Sequence, residues 1–104
     1  MSLPKKVKVG PWTYEIKLVD GWVGEHDLWG QISHGERVIR MSDQQGVADL
    51  QTHLLHEINH AIYLLFRLSS GGGEIDEERI VDAFANGWAM IYKDNPALLK
   101  FLGE

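Results

Sequence analysis

The 104-residue chain contains no cysteine. That absence excludes a disulfide framework, a thiolate-bound metal and a cysteine nucleophile, and it suits a reducing compartment. Long hydrophobic runs are missing too. No segment approaches the roughly 20 apolar residues needed to cross a bilayer, and the N-terminus lacks the apolar core of a secretory signal. A cytoplasmic protein is the expectation. Positive charge is in short supply: 10 Lys and Arg stand against 15 Asp and Glu, for a net charge of −5. A nucleic-acid or anionic-membrane binder requires a basic stripe. Lys5, Lys6 and Lys8 form a small basic cluster, but they alternate with apolar residues and read as the solvated face of a strand.

Hydrophobic residues at 44% and charged residues at 24% are the proportions of a packed globular chain, and 104 residues suffice for one domain spanning 1–104. The first forty residues alternate with period two. Val7 to Val9 and Trp12 to Val19 flank Gly10-Pro11, and Leu28 to Ser33 and Arg37 to Met41 flank His34-Gly35-Glu36. Val23 to Asp27 fit either a loop or a strand extension. Four tryptophans, Trp12, Trp22, Trp29 and Trp88, are expected in the core. His26 and His34, in loops, are expected to be solvated. At Ser42 the period becomes 3.6. Ser42 with Gln45 resembles a capping box, and an apolar face of Leu50, Leu54, Leu55, Ile58, Ala61, Ile62 and Leu65 predicts a helix to about Leu68. Ser69 to Gly73 read as a connector, Glu74 to Lys93 as a second helix, and Asn95-Pro96 as the cap of a short third one. The fold class is therefore α+β: a small antiparallel or mixed sheet of three to four strands, then three helices.

The first helix carries His56-Glu57-Ile58-Asn59-His60. Residues four apart share a helix face, so both imidazoles can reach one metal ion, with Glu57 beside them as a base. On a helical wheel with Leu50 at 0°, the apolar face spans about 0–140°, His53, His56 and His60 fall at about 240–300°, and Glu57 at about 340°. A catalytic zinc site takes three protein ligands, and the acidic start of the second helix is the source of the third. Glu78 is the first choice, because Asp82 lies one turn further on the same face and can orient a ligand histidine. Ala85 and Ala89 flank that face and would permit close helix approach. Glu77 is the rival. It falls among Val81, Phe84 and Trp88, expected to be core, where a carboxylate is costly without a partner.

His56-Glu57-x-x-His60 followed by Glu78-x-x-x-Asp82 resembles the zincin peptidases whose third ligand is a glutamate. Glu78-Arg79-Ile80-Val81-Asp82-Ala83-Phe84-Ala85 is similar to the corresponding stretch of the ImmA/IrrE family, and the layout of short sheet, motif helix, glutamate helix and Asn-Pro near the end resembles that of compact phage-encoded zincin-like proteins. The resemblance covers about Leu54 to Ala85. It implies a zincin-like layout, Zn2+ held by His56, His60 and Glu78, Glu57 as general base, Asp82 supporting a ligand, and a polypeptide substrate such as a repressor-type regulator. The metzincin branch is excluded, since it requires Gly and His where Tyr63 and Phe66 stand.

The expected activity is zinc-dependent hydrolysis of a peptide bond. Glu57 takes a proton from the attacking water and returns it to the leaving amine. The oxyanion needs a further donor, for which His53, Tyr92 and Tyr14 are the candidates. Arg37 to Met41 is expected to be a sheet edge beside the cleft, where a peptide could add by main-chain pairing. The alternative is a metal-stabilised interaction domain of a phage or mobile element, without hydrolytic activity.

Overall fold

Val7, Val9, Tyr14 and Ile16 are buried while Lys6, Lys8, Thr13, Glu15 and Lys17 are exposed, the alternation of a sheet with one wet face. These residues form an antiparallel hairpin of β1 (Lys6–Val9) and β2 (Trp12–Val19), closed at Gly10 with φ of +60°. The structure is a computed structural model that describes residues 2–20, 29–68 and 76–104. Trp22, His26, Val23 to Asp27 and the Ser69–Gly73 connector lie outside the described residues.

β3 (Gly30–Ser33) pairs antiparallel with β4 (Val38–Ser42), and β4 pairs in parallel with β2. The order is β1-β2-β4-β3, a four-stranded mixed sheet. β4 is thus interior and not the expected edge. The reason lies in its residues: Val38, Ile39, Met41 and Ser42 are all buried, as a parallel-paired central strand requires. Among the described residues β3 pairs with β4 alone and forms an edge.

Three helices follow: α1 (Val47–Leu65), α2 (Glu77–Asp94) and α3 (Pro96–Leu102). The α+β layout is the expected one. α1 buries Leu50, Leu54, Ile58, Ala61 and Ile62 on the sheet, continuous with Met41, Ile39, Ile91, Leu98 and Phe101. Ser42 does not cap α1. It pairs with Val19 at the end of β4, its Oγ accepts from Gln44 N at 3.1 Å, and Gly46 is the N-cap. α2 starts instead with Asp76, whose side chain accepts from Arg79 N at 2.8 Å.

α2 presents Ala83, Gly87 and Ile91 inward, and Ala85 and Ala89 are exposed. A shift of two positions is about 200° on a helix, so only one of these small-residue pairs can face α1. A Cβ at Gly87 would lie 2.7 Å from Ile62 Cγ2, so the two helices touch there backbone to side chain. Trp12, Phe84 and Trp88 are partly buried against the core, whereas Trp29 and Val81 are 41% and 52% exposed. Asn95 does not cap α3 with its side chain. Its amide pairs with the outer rim of β1, accepting from Lys8 N at 2.7 Å and donating to Lys8 O at 2.8 Å and Ile91 O at 3.0 Å. Among the described residues no helix is long and apolar enough to cross a membrane.

Candidate metal centre

His56 and His60 project from the exposed side of α1, one turn apart, and line a groove of about 270 Å3 with Asn59, Tyr63 and Phe84. Their Nε2 atoms are 3.3 Å apart, with ring planes inclined at 78°. Two nitrogens about 2.0–2.1 Å from a tetrahedral zinc ion stand about 3.3–3.4 Å from each other. The same separation is also within reach of an N–H···N hydrogen bond between the two imidazoles. The donor pair thus fits the group that its sequence suggested.

Glu57 points the other way, toward β3. It is only 7% exposed, and its Cγ lies 3.3 Å from the position that a Cβ on Gly30 would take. A glycine at that point of β3 leaves room for the carboxylate between helix and edge strand. Burial raises the Glu57 pKa, while the charges of His56, His60 and His53 oppose the shift. A carboxylate whose pKa is raised by burial takes up a proton more readily than an exposed one.

The α2 carboxylates are placed differently. Glu78 and Asp82 open onto a separate groove with Asp76, Arg79, Asn86 and Phe66. Glu77 is exposed, and the cost of an inward-facing carboxylate does not arise. It is seven positions before Phe84 and so on the same helix face as that wall of the imidazole groove, about 10 Å along the axis. Among the described residues, no set of three acidic or imidazole donors converges. The structure thus brings together His56 and His60, turns Glu57 toward β3, and leaves Glu77 and Glu78 on α2 apart from the imidazole pair.

Of the three donors expected for an oxyanion, His53 and Tyr14 are committed to other partners. The Gln45 amide gives Nε2–H bonds to Trp29 O at 2.9 Å and Ser42 O at 2.8 Å, so its oxygen must accept. The hydrogen in the 2.6 Å contact between His53 Nδ1 and Gln45 Oε1 therefore belongs to the imidazole. Neutral His53 then has a bare Nε2 that can accept but not donate. Trp29 stacks on this ring at 5.8 Å, which accounts for its position outside the core. Tyr92 is 57% exposed and leans on Trp88, 6.2 Å between centroids. Tyr14 is fully buried, and its hydroxyl is committed to His34 Nδ1 at 2.9 Å.

His34 is the residue that sequence reasoning missed. It is partly buried, not solvated, and stands edge-on to Tyr14. Burial depresses its pKa, and the charges of Arg37 and then His60 add to the effect. Arg37 donates from an Nη to the Tyr14 hydroxyl at 3.3 Å, and its guanidinium lies 4.3 Å over the Trp12 ring. Burial raises the Tyr14 pKa against the opposing charge of Arg37, which keeps the phenol protonated. Only the short spacing from Ser33 to Arg37 hinted at such a cluster. Comparison with family models, with curated proteins and with solved structures finds no match to this chain.

Proposed function

We propose that the protein is a zinc-dependent peptidase of minimal zincin type, acting on a polypeptide in the cytoplasm. The observation that carries this reading is the 3.3 Å separation of the His56 and His60 Nε2 atoms, with the buried Glu57 carboxylate between them in sequence. His56 and His60 would hold the ion, with a third ligand from the first turn of α2, either Glu78 or Glu77. When bound, zinc supplies a Lewis acid that activates water and polarises a carbonyl. Glu57 accepts the proton of the attacking water and delivers it to the departing amine. β3 offers its outer rim to an extended chain beside Glu57. A structural site needs the two histidines but has no use for a glutamate between them, and this favours an enzyme.

The separate groove occupied by Glu78 supports a second reading, a metal-stabilised interaction domain without hydrolytic activity. Zinc content, followed by Glu57→Gln, Glu77→Gln and Glu78→Gln, decides. A peptidase keeps zinc and loses cleavage in Glu57→Gln, and one α2 variant loses zinc affinity. Retention of zinc by both α2 variants, with no cleavage by the unaltered protein of peptides or of repressor-type proteins, sinks the peptidase reading in favour of the second.

A further inference from the structure

Arg37 is one of two described non-glycine residues with positive φ, at +58°. For a residue with a long side chain, the left-handed region is strained and persists where surrounding contacts hold it. Here it closes the turn between β3 and β4 and sends the guanidinium back over Trp12 to the Tyr14 hydroxyl. A guanidinium can only donate, so the Tyr14 oxygen accepts from it. The single phenolic hydrogen is then directed at His34 Nδ1, 2.9 Å away. A neutral imidazole that accepts at Nδ1 carries its hydrogen on Nε2, on the side of the ring remote from Tyr14.

The topology brings this hairpin to the motif helix. α1 passes Gly30 and Met41 at Glu57, and passes Gly10 at Leu65, whose Cδ2 lies 3.0 Å from a Cβ built there. Gly30 opens β3, and Gly10 lies at the opposite end of the sheet, beside the β3–β4 turn, since Glu15 N donates to Arg37 O. α1 therefore crosses the sheet from β3 at Gly30 to the β1–β2 turn at Gly10, heading toward the end that carries His34, with His60 between Glu57 and Leu65; the charge of His60 acts on His34.

We infer that His34 is a further catalytic residue of this site, an Nε2–H donor to the carbonyl oxygen of a bound peptide, with Tyr14 and Arg37 as the positioning residues that fix its tautomer. The inference rests on the peptidase reading and supplies the donor that His53 and Tyr14, engaged elsewhere, do not. It also assigns the strained turn a purpose. The Arg37–Tyr14–His34 chain fixes a donor that needs no reorganisation when negative charge develops on oxygen.

Two measurements test it. Long-range 1H–15N correlation on the metal-free protein reports the protonated nitrogen of each histidine. His34 is expected as the Nε2–H tautomer, and Tyr14→Phe, which keeps the ring, is expected to abolish that preference with the circular dichroism unchanged. An Nδ1–H tautomer, a charged ring at neutral pH, or no response to Tyr14→Phe overturns the inference. The second uses zinc-loaded protein with acetohydroxamate as an oxyanion probe, followed by calorimetry. His34→Phe is expected to weaken hydroxamate binding about tenfold or more, the effect of removing a hydrogen bond to a charged group, with zinc affinity unchanged. Equal hydroxamate affinity in a variant that still binds zinc refutes the donor role. If the unaltered protein takes up no zinc, the peptidase reading fails, and the tautomer measurement still decides whether the relay exists.

Discussion

Gly87→Ala probes the contact that seats α2 against α1. The added Cβ would meet Ile62 Cγ2 at 2.7 Å, Cγ1 at 3.0 Å and Cδ1 at 3.1 Å. Carbon atoms prefer about 3.5–4.0 Å, so the nearest contact is short by roughly 1 Å. Ile62 is fully buried and branched at Cβ. In a helix such a side chain has essentially one comfortable χ1, and it cannot simply turn aside. Forcing a methyl into a packed core costs about 1–3 kcal/mol. Alanine returns about 1 kcal/mol of helix propensity. The expected net loss is about 1 kcal/mol in urea unfolding at 25 °C. The more discriminating result comes from a double-mutant cycle with Ile62→Ala. In that background the three clashing atoms are gone, and Gly87→Ala should become stabilising by about 1 kcal/mol from propensity alone. The sign therefore reverses, with a coupling energy of about 1–3 kcal/mol. Equal effects of Gly87→Ala in both backgrounds, within about 0.5 kcal/mol, would refute the packing argument.

Three further outcomes follow from the same structure. Glu57 has a raised pKa in the folded state, so its ionisation destabilises the metal-free protein above its folded value, and that penalty vanishes below the unfolded value of about 4.3. Glu57→Gln in EDTA should thus be more stable than the parent at pH 7, with the gap closing on acidification toward pH 4; a pH-independent difference contradicts the burial argument. Zinc at 100 times its dissociation constant should stabilise the protein by about 2.7 kcal/mol and raise the melting temperature by roughly 10 °C or more. His56→Ala should erase that rise, and an undiminished shift in the variant would remove His56 from the ligand set. Asn95→Ala leaves the Lys8 amide and carbonyl without their partner and should cost about 2–3 kcal/mol, read as a lower urea midpoint with unchanged slope.

What could be read from the chain alone follows from the range of the interactions involved. The β1–β2 hairpin and α1 declare themselves through local periodicity, and the His56–His60 juxtaposition needs only the pitch of a helix. Strand order is different. Alternation marks Arg37 to Met41 as a strand but does not say that β2 and β3 flank it. Val38, Ile39 and Met41, apolar at three of four successive positions, are the sequence trace of its two-sided pairing. On α2 the close approach expected at Ala85 and Ala89 occurs instead at Gly87, because Phe84 and Trp88 pack on the core beside it and the Trp88 indole donates to Asn59 Oδ1 at 3.0 Å. The Tyr14–His34 bond spans 20 residues. No local pattern distinguishes a hairpin histidine held by such a bond from one surrounded by water.

The Asn95 amide has a consequence for how these molecules can associate. A sheet grows sideways only where main-chain groups on its rim are unpaired, and open rims are the usual template for fibrils. On the β1 side the Asn95 amide takes the place that a neighbouring strand would need at Lys8. Among the described residues that leaves the β3 side as the open rim, since β3 pairs with β4 alone. A body with one such margin is biased toward meeting a single copy of itself and away from growth into a fibre.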